Sequence, residues 1–384
     1  MGKRKALIVG GSNGIGLAIG KKLIDMGYYI EILDKVEPDT FFLEENKFRY
    51  TFCDLTDFNE SIFVEKSKDE EIEILMITAG IGRLADFQFY HISEIEQIFK
   101  VDTISVLKIL KIFYERIFSH KVFYTGIISS ISGRIISPSA SVYASAKAAL
   151  VRFIESVNIE LEVYGINNRI LDVCPASFKG SKFYGGENVL YELNDLAENI
   201  IDSIFEKKLL YIPNYDERLK DVIEWYNRDS HEYGIYSYEY KKKSGRVDNS
   251  NHEKIGYLSG TFDLFHVGHL NLLRRAKQYC DYLIVGVHKS GEWKGKETYI
   301  PLDERKEILT ACKYVDKVVD SCMEDSDAWE KWKYNYLFVG SDYKDTERFN
   351  RYENFFKDKG VSIIYFPYTK HISSTKIRNT VSKL

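Results

Sequence analysis

Short apolar runs alternating with longer amphipathic stretches constrain the fold of this 384-residue chain most, because the alternation occurs in two separate blocks. In the first block the strand candidates are Ala6–Val9, Tyr29–Leu33, Ile74–Thr78, Val122–Ile128 and Arg169–Val173. Between them, Gly16–Met26, Ile92–Ile117 and Ala144–Val163 carry apolar residues every three to four positions, the period of a helix with one buried face. From Ile255 the alternation resumes. Its strands are Ile255–Leu258, Tyr282–Val287, Val318–Val319, Tyr336–Val339 and Val361–Tyr365, and its helices Leu270–Tyr279, Asp303–Ala311 and Trp329–Lys333. Repeated strand–helix units of this length close only as parallel sheets covered by helices on both faces. The expected architecture is α/β, with two doubly wound parallel-sheet domains in tandem and no internal repeat relating them. The boundaries expected are 1–213 for the first domain, 214–252 for a helical tail and linker, and 253–384 for the second. The tail combines Tyr233, Tyr236, Tyr238 and Tyr240 with the basic run Lys241–Lys243, which reads as a half-buried aromatic stripe beside a solvated charge cluster.

Composition removes several function classes. Charged residues are 29% and the net charge is −4, which gives no reason to expect a nucleic-acid partner. The five cysteines contain no CxxC pair, which argues against a disulfide framework or a zinc site and suits a reducing compartment. No run approaches the roughly 20 apolar residues of a membrane span. The apolar Ala6–Val9 runs straight into glycines and is too short for the core of a signal peptide. A cytoplasmic enzyme without membrane partners is the expectation.

Gly10, Gly14 and Gly16 stand between the first strand and the first helix, where a tight turn lets a pyrophosphate approach a helix N-terminus. Asp34, at the end of the second strand, is placed to accept hydrogen bonds from a ribose diol. Further on, Tyr143 and Lys147 share a helix face, and Ser130 closes the preceding strand. A serine can hold a carbonyl oxygen while a tyrosine protonates it, and an ammonium beside the phenol favours phenolate.

Over about residues 5–210 these features resemble the short-chain dehydrogenase/reductase family, whose sheet is Rossmann-like. The resemblance implies a nicotinamide cofactor held by Gly10, Ser12, Asn13, Gly14, Ile15 and Gly16. It implies further that Asp54 and Leu55 meet the adenine, that Ala79 and Gly80 line the cofactor, and that Pro175 lies beside the nicotinamide. NADH and NADPH both stay open: Asp34 repels a 2′-phosphate, whereas Lys35 can accept one. Three residues depart from the family pattern. Asp102 stands where an asparagine usually relays protons with the lysine, Val9 replaces a threonine, and Ala176 a glycine.

The second block opens Gly260-Thr-Phe-Asp-Leu-Phe-His-Val-Gly-His269 and closes Ile372-Ser-Ser-Thr-Lys-Ile377. Two histidines three apart at a helix start, behind a strand and a tight turn, form a site for triphosphate charge. No glutamate separates them in the HExxH manner and no third ligand is apparent, so no metal site is expected. Over residues 254–384 the block resembles the glycerol-3-phosphate cytidylyltransferases, including Tyr314-Val315-Asp316 and Gly340-Ser341-Asp342-Tyr343. The resemblance implies that His266 and His269 stabilise the transferring phosphate of CTP, that Thr261 and Phe262 offer backbone donors, and that Gly260 belongs to the nucleotide-binding turn. Asp263 would orient His266 or the Mg2+-bound triphosphate. Lys294, Lys296 and Arg305 would clamp phosphates, and Ser373, Ser374 and Thr375 would hold the β,γ-phosphates. Tyr368 and His371 replace the family's Arg and Gly beside that last segment.

Bifunctional CDP-alditol synthases combine these two activities. The fusion implies an enzyme that joins a sugar phosphate such as fructose 6-phosphate or ribulose 5-phosphate to CTP and reduces its carbonyl for capsule or cell-wall polymers, and a homo-oligomer, a dimer, is expected. Two alternatives stay open. One is a transferase beside a reductase-like scaffold silenced by Asp102, and the other an adenylyltransferase fusion.

Overall fold

The structure, a computed structural model, describes residues 4–38, 45–176, 189–249, 253–290 and 298–366. The chain divides into two compact units, Met1–Ser250 and Asn251–Leu384.

In the first unit the strands are β1 (Lys5–Val9), β2 (Tyr29–Asp34), β3 (Phe48–Phe52), β4 (Ile72–Ile77), β5 (Tyr124–Ile128), β6 (Ile170–Val173) and β7 (Leu210–Tyr211). The helices are α1 (Gly14–Asp25), α2 (Glu60–Ser67), α3 (Ile92–Phe99), α4 (Ser105–Ile112), α5 (Tyr114–Ile117), α6 (Ser141–Val163), α7 (Asn194–Phe205), α8 (Lys220–Arg228) and α9 (Ser230–Lys243). All strand pairs are parallel, in the order β3-β2-β1-β4-β5-β6-β7. Successive side chains of β1 enter opposite cores. Leu7 and Val9 pack with Phe63, Val106 and Leu150 of α2, α4 and α6, while Ala6 and Ile8 pack with Leu17 and Ile200 of α1 and α7. A strand buried on both faces reads as a continuous apolar run, which is why β1 is visible in the sequence.

Two departures from the sequence expectation have a physical cause. The stretch Ile92–Ile117 is not one helix: a π-helical turn at Lys100–Ile104 separates α3 from α4. There the Thr103 hydroxyl donates to the Ala146 carbonyl of α6 at 2.8 Å, and Asp102 is fully buried. Strand β3 escapes the apolar pattern because it lies at the sheet edge, where Arg49 and Phe52 are exposed.

In the second unit β8 (Ile255–Gly260), β9 (Tyr282–Val287), β10 (Lys317–Asp320), β11 (Tyr336–Gly340) and β12 (Ser362–Phe366) alternate with α10 (Val267–Lys277), α11 (Leu302–Thr310), α12 (Asp325–Trp332) and α13 (Glu347–Phe356). The sheet is again parallel, in the order β10-β9-β8-β11-β12. Both sheets therefore reverse direction of growth beside their first strand. Ligands of doubly wound sheets bind in the crevice at that switch point, outside the carboxyl ends of the strands.

Candidate active sites

A cavity of about 820 Å³ opens at the switch point of the first unit, beside the loops that follow β1 and β4. Gly10 turns the chain at φ 89°, and a side chain on it would collide with the backbone of Ala79. A side chain on Gly16 would collide with the Gly10 carbonyl and the Thr78 hydroxyl, which donates to that carbonyl at 2.8 Å. The glycines thus serve close packing of the β1 and β4 loops as well as open space for a ligand. Gly10, Asn13, Gly14, Ile15, Gly16, Asp34, Lys35, Asp54, Leu55, Ala79, Gly80 and Pro175 all line the cavity. Ser12 does not. It is fully buried, its amide donates to Asp34 Oδ2 at 3.0 Å, and its hydroxyl has no partner among the described residues.

At the other end of the same cavity stand Ser130, Tyr143 and Lys147. Ser130 follows β5, accepts from the Ser132 amide at 3.2 Å and bonds the Tyr143 phenol. Its loop is anchored from behind by Arg134, which pairs with the buried Asp172 and, at 3.0 Å, with Glu155. Tyr143 and Lys147 lie one turn apart on α6, and the ammonium stands 5.7 Å from the phenol ring centroid.

Lys147 is not devoted to the tyrosine. Its Nζ lies 3.4 Å from Asp102 Oδ1 and donates to the Ile128 carbonyl at 3.2 Å. Asp102 also accepts from the Ile81 amide at 3.0 Å, while its Oδ2 is buried without a partner among the described residues. Burial pushes the Asp102 carboxyl up, against the pull of Lys147 and the Ile81 amide. Burial, reinforced by the Asp102 carboxylate, also pushes the Tyr143 phenol well above its ordinary value. The expected phenolate-favouring effect of Lys147 is overridden here, so Tyr143 holds its proton firmly until an acceptor arrives.

The lining fits a dinucleotide. The glycine loop cannot take side chains, the Asp34 carboxylate is held at the cavity edge by the Ser12 and Val36 amides, and the volume lies within the usual range for ligand sites.

One wall of the cavity is absent from the sequence reading. Leu219, Val222, Tyr233, Tyr236, Ser237, Tyr240, Lys241 and Arg246 line it, all from the segment expected to be a tail and linker. Helices α8 and α9 pack there through Val222, Trp225 and Tyr233 onto Ile131 and Ile135. The signal was present: positions 233, 236, 237, 240 and 241 follow the i, i+3, i+4, i+7, i+8 rule of one helix face. Reading the tyrosines as a stripe hid the polar residues that share it.

In the second unit the helix begins three residues before its expected start. His266 is its N-cap, and its Nδ1 accepts from the Gly268 amide at 3.0 Å. His269 follows in the first turn, its ring stacked on His266 with centroids 4.0 Å apart and flanked by Phe262 and Phe265. Burial, with His266 beside it, pulls the His269 imidazole down to about 3, and burial lowers His266 too. Both rings are therefore neutral donors at pH 7, and the positive end of the α10 dipole lies beside them. His269 Nδ1 has no partner among the described residues.

Phe262 and Leu264 both adopt left-handed backbone angles, φ 52° and 50°, around the buried Asp263. Non-glycine residues rarely do this without a surrounding structure that holds them. Here the Asp263 carboxylate accepts from the Tyr299 and Ile300 amides at 3.0–3.2 Å, which ties the β8 loop to the start of α11.

Arg305 departs from its expected role. Only 1% exposed, its guanidinium donates to the carbonyls of Thr261, His288, Lys289 and Ile300. It braces the loops around the site, spending four of its five N–H donors on backbone carbonyls. Thr261, Phe262 and Asp263 do gather with the two histidines after β8, whereas Lys294, Lys296, Ser373, Ser374 and Thr375 lie outside the described residues.

The two folds and their sites define a reductase-type unit followed by a nucleotidyltransferase-type unit. Residues 4–184 match the short chain dehydrogenase family, and residues 257–380 the cytidylyltransferase-like family. The glycerol-3-phosphate cytidylyltransferase of Staphylococcus aureus is 36% identical over 123 residues, which span 31% of this chain and 88% of that protein. That of Bacillus subtilis is 36% identical over 135 residues, 33% of this chain and 95% of that protein. Through its second unit the chain belongs to the cytidylyltransferase family, fused behind a short-chain dehydrogenase/reductase domain. A solved short chain dehydrogenase/reductase from Burkholderia phymatum, in complex with NAD, shares the fold of the first unit. Its TM-score is 0.51 at 17% identity, over 59% of this chain and 94% of that one. No helix among the described residues is long and apolar enough to cross a membrane.

Proposed function

We propose that the chain makes a CDP-activated sugar alcohol, cytidylylating a ketose phosphate such as fructose 6-phosphate or ribulose 5-phosphate and reducing its carbonyl. The observation that carries this reading is the Ser130–Tyr143–Lys147 cluster at the end of a dinucleotide-sized cavity, on the same chain as the His266–His269 pair.

In the second unit a phosphate oxygen of the sugar attacks the α-phosphorus of CTP, and the bond to the β-phosphate breaks to release pyrophosphate. His266 and His269, as neutral N–H donors at the start of α10, meet the charge that develops on the phosphoryl oxygens. Positioning and charge stabilisation suffice, without a covalent intermediate. Mg2+ enters as the counter-ion of CTP.

In the first unit a nicotinamide cofactor, when bound, supplies the hydride. Ser130 holds the ketone oxygen, and Tyr143 gives its Oη proton to that oxygen as the carbon becomes a carbinol. Asp102 and Lys147 set how tightly that proton is held. Asp34, fixed at the cavity edge by the Ser12 amide, favours an unphosphorylated ribose and hence NADH over NADPH. Cytidylylation comes first, since a CDP handle offers remote binding energy to orient a flexible open-chain ketone.

The second reading, a silent reductase scaffold, draws on the Asp102–Lys147 pair that engages the lysine. One panel tests both: CTP or ATP with ketose phosphates, with and without NAD(P)H, followed by pyrophosphate release and cofactor absorbance. CTP-dependent pyrophosphate release with cofactor oxidation supports the synthase; pyrophosphate release alone, with every ketose, supports the scaffold. Cofactor oxidation before CTP is added would reverse the order.

A further inference from the structure

The charged lining of the first unit's cavity differs from one end to the other. Its carboxylates, Asp34 and Asp54, belong to the glycine-loop end, where Lys35 stands beside them. Beyond Ser130 the lining carries Lys241 and Arg246 instead, contributed by α9 and the turn after it.

Lys241 is held in place. Its ammonium donates to Ser137 Oγ at 2.6 Å and to the Pro138 carbonyl at 2.8 Å. Ser137 accepts in turn from Ser132 Oγ at 3.4 Å, and the Ser132 amide donates to Ser130 Oγ at 3.2 Å. Ser132 therefore links the residue that holds the carbonyl, through its amide, to the Ser137 hydroxyl that accepts from the ammonium, through its own hydroxyl. Helix α9 is pinned over this link by Asp86, which accepts from Ser139, Tyr238 and Asn249 at 2.9–3.1 Å.

Neither cation has a carboxylate partner among the described residues, and the charge acting on Lys241 is that of Arg246. Burial and that repulsion pull the Lys241 ammonium down to about 8, so it is charged at pH 7 but strained by its surroundings. A half-buried ammonium facing a cavity, with the exposed Arg246 guanidinium repelling it, is costly unless an anion completes the site. A neutral polyol would not relieve the repulsion. A phosphate oxygen would, by charge-assisted hydrogen bonds to both heads.

We infer that Lys241 and Arg246 form an anion subsite of the reductase that binds the phosphate of an open-chain ketose while Ser130 and Tyr143 hold its carbonyl. The inference rests on the reductase reading above and names its substrate class. The same subsite takes the terminal phosphate of a ketose phosphate or the diphosphate of its cytidylylated form.

The test uses the full-length chain with NADH or NADPH and three forms of one ketose: ribulose, ribulose 5-phosphate and preformed CDP-ribulose. The parent is expected to favour a phosphate-bearing form over free ribulose by a hundredfold or more in kcat/KM. Whichever of the two is favoured identifies the source of the anion. In a K241M/R246M variant that preference falls about ten- to a hundredfold, mostly through KM, as loss of hydrogen bonds to a charged group predicts. K241R retains most of it. An unchanged preference, or a rise confined to the KM for the cofactor, overturns the subsite while leaving the reductase standing. No cofactor oxidation by the parent with any ketose would take down the reductase reading as well. Should the variants not fold, dead-end inhibition of the parent decides: ribitol 5-phosphate or CDP-ribitol must inhibit at least tenfold better than ribitol, and equal inhibition overturns the subsite.

Discussion

The two units share a doubly wound parallel sheet and place their sites at the same topological position, yet they prepare opposite electrostatics there. In the first unit the proposed proton donor is buried beside an ion pair, and Asp102 with burial holds Tyr143 protonated. In the second, burial strips the histidines of charge and leaves neutral N–H groups at a helix N-terminus. The proposed ketone reduction needs one proton delivered at one atom, which a group that keeps its proton suits. Nucleotidyl transfer needs negative charge spread over several oxygens to be met by fixed donors. A shared fold supplies the position, and the local charges decide the chemistry.

The sharpest way to separate the units is to disable one. Tyr143→Phe removes the general acid and is expected to lower the rate of cofactor oxidation by about two to four decades. Pyrophosphate release should stay at the parent rate. Oxidation at the parent rate in that variant would remove Tyr143 from the mechanism.

The converse change, His269→Ala, is expected to cost about two to three decades in pyrophosphate release, as loss of one preorganised donor does. Cofactor oxidation with a preformed CDP-ketose should be untouched. A near-normal transfer rate would leave the histidine stack a packing feature only.

A finer contrast concerns Asp102. Its carboxylate disfavours phenolate at Tyr143, so the protonated, active form persists into alkaline pH. In Asp102→Asn that repulsion is gone and the phenol pKa falls, and the alkaline limb of kcat/KM for reduction should move to lower pH. A limb that stays in place, or moves up, would show that Asp102 does not act on Tyr143.

The smallest effect is on stability. His269 titrates at about 3 when folded and near 6.5 when unfolded, so the unfolded chain binds the extra proton first. The second unit should therefore lose stability as pH falls from about 6.5 towards 3, by at most about 1.4 kcal/mol per pH unit from this group. Thermal melting across that window should be flatter in His269→Gln. Equal slopes would mean that the imidazole is not shielded.

Much of this was legible in one dimension. A strand buried on both faces, such as β1, must be a continuous apolar run, and a turn with φ 89° at Gly10 selects glycine. Tyr143 with Lys147, and His266 with His269, are neighbours one helical turn apart, so sequence spacing is already their geometry. Edge strand β3 and the two-residue β7 were not legible, because half-exposed or very short strands need no apolar pattern. Arg305 shows the limit differently. Its type suggests a phosphate clamp, but whether a guanidinium faces a ligand or four carbonyls depends on the loops that converge on it.

The sequence alone determined the two parallel-sheet units, the order of the two family resemblances along the chain and the candidate residue pairs one turn apart, since each follows from local period and local turn chemistry. Only the tertiary structure decided which partners those residues keep. It gave Lys147 to Asp102 across 45 positions of chain, turned a linker into a cavity wall, and brought Lys241 to Ser137 from 104 residues away. Charges and hydrogen bonds act over a few ångströms of space, and no period in a sequence records which distant segments the folding of two sheets will bring within that distance.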